Sequence, residues 1–177
     1  MIKTYYISKR IVKCILPVIV LTFFNFSGLY AQGYPFPPRP IQVTKIADLA
    51  FGAFYLGASG GTVSVSAAGG RAATGDVVLL GMGYLVAPAV FRIKGNPSTL
   101  VTPMMGGPVS LNGIPAGTLT LTLNPTTNPL SPFVLPGPLP PNAVVDLYVG
   151  GTLTVGSQAA NPPGSYSGTF TIIFNQN

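Results

Sequence analysis

The run Gly117-Thr118-Leu119-Thr120-Leu121-Thr122-Leu123 decides how this chain folds. Leucines and threonines alternate, so an extended backbone puts every leucine on one face and every hydroxyl on the other. A helix would scatter the same residues around its circumference. β-Branched Thr also suits a pleated surface better than a helix. The same period of two recurs on either side. Gly61-Thr62-Val63-Ser64-Val65-Ser66 sets two valines against hydroxyls. Ala89, Phe91 and Ile93 oppose Val90, Arg92 and Lys94, while Phe170, Ile172 and Phe174 oppose Thr169, Thr171 and Ile173. Further strands are expected at 41–47, 76–81, 98–102, 108–111, 143–149 and 152–155. No window repeats apolar residues at helical spacing.

Breakers fall between these runs. Gly57-Ala58-Ser59-Gly60-Gly61, Gly69-Gly70-Arg71 and Gly95-Asn96-Pro97 read as turns. Prolines 125, 129, 132, 136, 138, 140 and 141 crowd the stretch from Asn124 to Asn142. It is expected to be a long connection over one end of the sheets or a polyproline-like edge crossing. A domain boundary there is rejected, because 143–177 is too small to hold a core of its own. Hairpin-spaced strands with one polar face each give the fold class: all-β, an immunoglobulin-like antiparallel two-sheet β-sandwich. Asn161-Pro162-Pro163-Gly164-Ser165-Tyr166 is a turn delivering a Tyr just ahead of an alternating strand. In such sandwiches that Tyr sends its hydroxyl back to an upstream backbone group, so Tyr166 is expected to form a tyrosine corner.

The N-terminus reads as an export signal. Lys3, Lys9, Arg10 and Lys13 form a basic region, Cys14 to Phe26 an apolar stretch, and Ala31 a small residue suited to signal peptidase. The stretch is shorter than the roughly 20 residues that span a bilayer. Lys13 stands where a lipobox needs a small residue, so Cys14 is not expected to be lipidated. The expected organisation is a signal peptide over 1–31, a Pro-rich lead over 32–40 and one sandwich domain over 41–177. The exported chain is expected in the periplasm, on the cell surface or outside the cell, with no membrane span after signal cleavage.

Composition then removes most chemistry. The full chain of 177 residues carries a net charge of +6 with only 7% charged residues. Beyond residue 31 the basic residues are Arg39, Lys45, Arg71, Arg92 and Lys94, against Asp48, Asp76 and Asp146, a net +2. The basic balance therefore belongs mainly to the leader and argues for no nucleic-acid partner. There is no His and no Glu. That leaves no imidazole base, no His-assisted nucleophile and no His-ligated metal. Three widely separated Asp residues give no calcium-loop spacing, and no Ser or Thr has an adjacent base. Gly81-Met82-Gly83-Tyr84-Leu85-Val86 starts like a dinucleotide fingerprint but ends in Val and precedes no helix, so it reads as a turn or bulge. No catalytic residue, cofactor or metal is expected, and the chain is not expected to be an enzyme.

What remains is surface. Polar faces of Thr, Ser, Asn and Gly carry few of the charges that usually guard sheet edges. The unguarded candidates are the Leu119 strand and the terminal strand with Phe170, Ile172 and Phe174. Open edges accept another strand. The leading expectation is a structural or interaction protein, pilin-like, that self-associates or joins a surface or pilus partner by strand addition. The alternative is an extracellular carbohydrate- or ligand-binding, adhesin-like module. Its platform would come from Tyr34, Phe36, Tyr55, Tyr84 and Tyr148, rings able to stack on sugars.

Two stretches carry a family resemblance. One runs from Ile41-Gln42-Val43-Thr44-Lys45-Ile46-Ala47-Asp48 to Phe51-Gly52, then Ala58-Ser59-Gly60-Gly61-Thr62-Val63-Ser64-Val65. The other is Val149-Gly150-Gly151-Thr152-Leu153-Thr154-Val155, then Gly164 to Phe170 and the terminal strand. Together they resemble the secreted bacterial domain of unknown function 4402 (DUF4402), over most of the chain beyond the leader. The family is in turn similar to the spore-coat-U type of secreted pilin. The resemblance implies an immunoglobulin-like sandwich and donor-strand assembly, and the family has no established activity to carry over. Unlike those pilins, this chain has no Cys beyond the leader, and its N-terminal lead, Gln32 to Pro40, is short and Pro-rich.

Overall fold

A computed structural model describes residues 39–137 and 143–177. Its strands, in chain order, are β1 (Gln42–Ala47), β2 (Ala50–Phe51), β3 (Ala53–Val65), β4 (Arg71–Leu80), β5 (Val86–Ala87), β6 (Ala89–Gly95), β7 (Leu100–Met105), β8 (Val109–Ile114), β9 (Thr118–Asn128), β10 (Phe133–Val134), β11 (Ala143–Val155), β12 (Ser165–Ser167) and β13 (Ile172–Gln176). No helix occurs among the described residues. The large sheet runs β1-β6-β11-β9-β8-β12, with β3 also on β11 and β4 on β3. A smaller sheet runs β10-β7-β13, and β2 pairs with β5. Every pairing is antiparallel. The chain is an all-β antiparallel sandwich.

The Thr-Leu repeat opens β9, and Leu119, Leu121 and Leu123 are all buried. Each buried leucine contributes about 1.5–3 kcal/mol of transfer free energy. Neighbouring strands add to the same layer: Ile93 of β6 lies opposite Val145 of β11, and Phe91 opposite Leu147. Ile93 and Leu147 are fully buried, as are Val101 of β7 and Leu135 just beyond β10 in the facing layer. The layers also meet through Phe91, whose ring centroid lies 5.9 Å from that of Phe174 and 6.3 Å from that of Phe170.

Two strands are longer than the sequence suggests. Residues 143–149 and 152–155, expected as separate strands, are the two halves of β11. The first half pairs with β6, the second with β3, and β9 follows the other side of both. The changeover falls at Gly150, where a Cβ would collide with the carbonyl of Val65 at the end of β3. Only glycine lets β3 take over from β6 at that point.

The second case is β3. Gly57–Gly61, expected as a turn, is a bend inside this strand, where its register with β4 breaks between Leu56 and Gly61. Gly60 and Gly75 take φ of +70° and +71°, and a Cβ on Gly75 would sit 2.6 Å from the Gly60 carbonyl oxygen. The bend folds the hairpin over itself. Arg71, next to the Ser66–Gly70 turn, thereby reaches the opposite end of the hairpin. Its Nη2 donates to the Ala53 carbonyl at 2.6 Å and its Nη1 to that of Leu80 at 3.5 Å. Its Nε is buried with no partner among the described residues, and burial lowers the guanidinium pKa.

Candidate functional site

The two edge expectations come out differently. The Leu119 strand is not an edge: β9 lies between β11 and β8, so neighbours cover both of its sides. Its polar outer face imitated exposure, but alternation reports which face is wet and not which strand is outermost. The terminal strand β13 pairs only with β7 among the described residues. It consists of Ile172 to Gln176, with no charge, Pro or bulge to blunt it. Phe170 lies ahead of this strand, packed with Phe174 against Phe91.

The opposite wall is β1, which among the described residues pairs only with β6. Register puts Val43 beside Ile93 and Lys45 beside Phe91, on the inward face. Ile93 is fully buried, yet Val43 is 39% exposed. Lys45 reaches solvent, where its Nζ meets an Asp48 carboxylate oxygen at 2.8 Å. The small sheet therefore covers β6 and stops short of β1. Among the described residues, Val43 is left part-exposed on this side, and Phe91, Phe170, Ile172 and Phe174 are only partly buried against the core. Gln176 bridges this side at one end. Its Oε1 accepts from the Ile41 amide at 2.6 Å, and its Nε2 donates to the Arg39 carbonyl at 3.3 Å.

The expected aromatic platform is dispersed. Tyr55, opposite Val78 on the folded hairpin, and Tyr84, in the loop after β4, are both exposed. Tyr148 is half-buried on the outer face of β11, opposite Val90 and Asn128, beside a depression that neither of the other two lines. Tyr34 and Phe36 lie outside the described residues, as do the expected signal peptide and most of the Pro-rich lead. Tyr166 sits in β12, a strand the sequence reading took for part of a turn, opposite Gly113 of β8. Its hydroxyl donates to the Pro162 carbonyl at 2.7 Å.

Two polar groups were not singled out from sequence. Asn161 is buried; its Oδ1 accepts from the Gly156 amide at 2.6 Å and its Nδ2 donates to the Thr118 carbonyl at 2.7 Å. The Asn-Pro-Pro-Gly context marks a turn but not this bridge between the ends of β9 and β11. The other is the Arg92–Asp146 pair, which joins two residues far apart in the chain. Arg92 Nε and Nη2 donate to the two Asp146 oxygens at 2.8 and 2.7 Å. That hydrogen bonding holds the Asp146 carboxyl below its ordinary range. No group of three His, Cys, Asp or Glu residues able to hold a metal occurs among the described residues.

Fold and site together define a class: an all-β antiparallel sandwich in which, among the described residues, the terminal strand pairs on one side only. The chain belongs to the family described as Domain of unknown function (DUF4402), whose model matches residues 41–175. No curated protein and no solved structure matches the chain.

Proposed function

We propose that this chain is an exported, non-enzymatic structural subunit that associates by taking an extended strand into the side between β1 and β13. This is the mode implied by the resemblance to spore-coat-U type pilins. One observation carries the reading. Inward-facing Val43 is left part-exposed beside fully buried Ile93, and β13 pairs on one side only among the described residues. An added strand would supply backbone partners to β13 and lay alternate side chains over Phe91, Phe170 and Phe174. Each backbone hydrogen bond would contribute about 0.5–1.5 kcal/mol, and each well-covered apolar side chain a comparable or larger amount. Pro35, Pro37, Pro38 and Pro40 have no N–H to donate, which favours a strand from another protein over the chain's own lead. The low charge beyond the leader leaves little repulsion between subunits.

The test is association of the full chain, followed by light scattering from micromolar to millimolar concentration and by hydrogen exchange. Assembly should slow exchange of the β13 amides, and Val43→Lys, which puts an ammonium on the side between β1 and β13, should weaken assembly at least tenfold. A monodisperse chain whose β13 amides exchange freely under every condition would remove this reading.

A further inference from the structure

Gln176 shares the inward face of β13 with Ile172 and Phe174, where alternation calls for an apolar side chain. Its carboxamide instead crosses to the segment ahead of β1. There Oε1 accepts from the Ile41 amide at 2.6 Å and Nε2 donates to the Arg39 carbonyl at 3.3 Å. One residue of a parallel strand would make the same pair of bonds to the backbone on either side of Pro40. The carboxamide thus imitates a short piece of strand. Ile41 is fixed from its other side as well. Its side chain packs against the core, so close to Gly95 that a Cβ there would sit 3.0 Å from Ile41 Cγ2.

Backbone bonds along β13 show what lies beside this contact. Asn177 and Leu100 exchange both of theirs, at 3.0 and 3.3 Å, and the Gly106 amide donates to the Thr171 carbonyl at 3.0 Å. The register between these points is unbroken, so Ile173 and Asn175 also turn their backbone groups toward β7. Those of Ile172, Phe174 and Gln176 point the other way, to the side with no strand partner among the described residues. Along that edge, only the Gln176 end lies beside the carboxamide contact.

From this we propose that Gln176 is a latch. It ties the end of β13 to residues 39–41, and an added strand that has paired with Ile172 and Phe174 must release the carboxamide before it can pair with Gln176. The inference rests on the strand-addition reading and supplies its regulation.

The exchange is nearly even. Two side-chain bonds are lost and backbone bonds at Gln176 replace them, so release costs little once a strand is seated as far as Phe174. Before that point nothing compensates for the lost bonds. The latch therefore slows completion of the added strand without forbidding it. A carboxamide and two backbone groups do not titrate, so the latch yields to a competing strand and not to pH. Removing its bonds should make the chain associate more readily, whereas a residue that served only to support the fold would not have that effect when replaced.

The test compares the full chain with Gln176→Met, which keeps the length of the side chain and removes both bonds. Exchange of the Ile41 amide in the unassociated chain should quicken about tenfold. Light scattering should show association beginning at a concentration roughly threefold to tenfold lower, with the amides of Ile172, Phe174 and Gln176 slowed in the assembly. Adding Val43→Lys should cancel that gain, which separates strand addition from aggregation of a loosened fold. Asn175→Ala, on the outer face of the same strand, should leave Ile41 exchange as it is in the parent. Unchanged Ile41 exchange in Gln176→Met would overturn the latch, as would a gain that survives Val43→Lys. Equal association of parent and variant would also overturn it, while leaving the strand-addition reading in place. If neither chain associates at any concentration, that reading fails and the latch fails with it.

Discussion

Replacing Asn161 should cost this sandwich more than its position in a surface turn suggests. Its side chain joins three segments: the Gly156 amide after β11, the Thr118 carbonyl at the start of β9, and the turn leading to Tyr166. Both bonds are short and the residue is buried. Asn161→Ala removes both and leaves a backbone donor and an acceptor facing a small void. A buried group left without its partner costs about 1–3 kcal/mol, so with some water entry the loss should total roughly 2–4 kcal/mol. Denaturant slopes of about 1–3 kcal/mol/M in urea then place the midpoint roughly 1–2 M lower, with the slope unchanged. Asn161→Asp tests the geometry itself. A carboxylate still accepts from Gly156 but faces the Thr118 carbonyl, to which only its protonated form can donate. Folding should raise that carboxyl above its unfolded value of about 3.9. Between the two values the folded state binds more protons, so stability must fall as pH rises. The variant should approach the parent near pH 4 and be clearly weaker at pH 7. A loss below about 1 kcal/mol for Asn161→Ala, or no pH dependence for Asn161→Asp, would refute this account.

Three further outcomes follow from the same geometry. Tyr166→Phe keeps the ring and removes only the bond to Pro162, so urea unfolding should show a loss of about 0.5–1.5 kcal/mol, and an unchanged midpoint would count against the corner. Gly75→Ala forces a side chain into a left-handed φ and against the Gly60 carbonyl, costing roughly 2–4 kcal/mol; thermal unfolding indistinguishable from the parent would show that the hairpin bend does not depend on it. Hydrogen bonding to Arg92 holds the folded Asp146 carboxyl below its unfolded pKa. Its contribution is therefore complete above about pH 5 and lost as acid takes the pH down through the lowered folded value. Arg92→Gln should flatten that acid limb, and identical acid-unfolding curves would contradict the pairing.

The sandwich was legible because alternation records burial directly. A leucine at every second position of 119–123 can be buried together only on a pleated strand, and the same holds for Val63 with Val65. Glycine was the source of error. Gly57–Gly61 and Gly150–Gly151 interrupt the alternation as a turn would, yet both lie inside continuous strands. Glycine is used when the chain turns and also when another backbone comes too close for a Cβ. Sequence carries no mark that separates the two. The contact that decides Gly150 comes from Val65, far away in the chain.

Edge position is a different kind of information. β9 and β13 both alternate and lack charge, yet among the described residues one has strand neighbours on both sides and the other on one. Whether a strand is outermost depends on which segments join the sheet and in what order. That order is set by long-range closures such as β8 and β12 reaching the far side of β9. The better local sign was at β1, where inward-facing Val43 alternates with Thr44 and a lysine holds the next inward position. An ammonium cannot be sealed into a core without a partner, so Lys45 requires that face of β1 to remain wet. A charge where alternation demands an apolar residue thus marks where a sheet outruns its cover. That clue lay in the sequence and points to the part-exposed side at Val43 more directly than the terminal strand did.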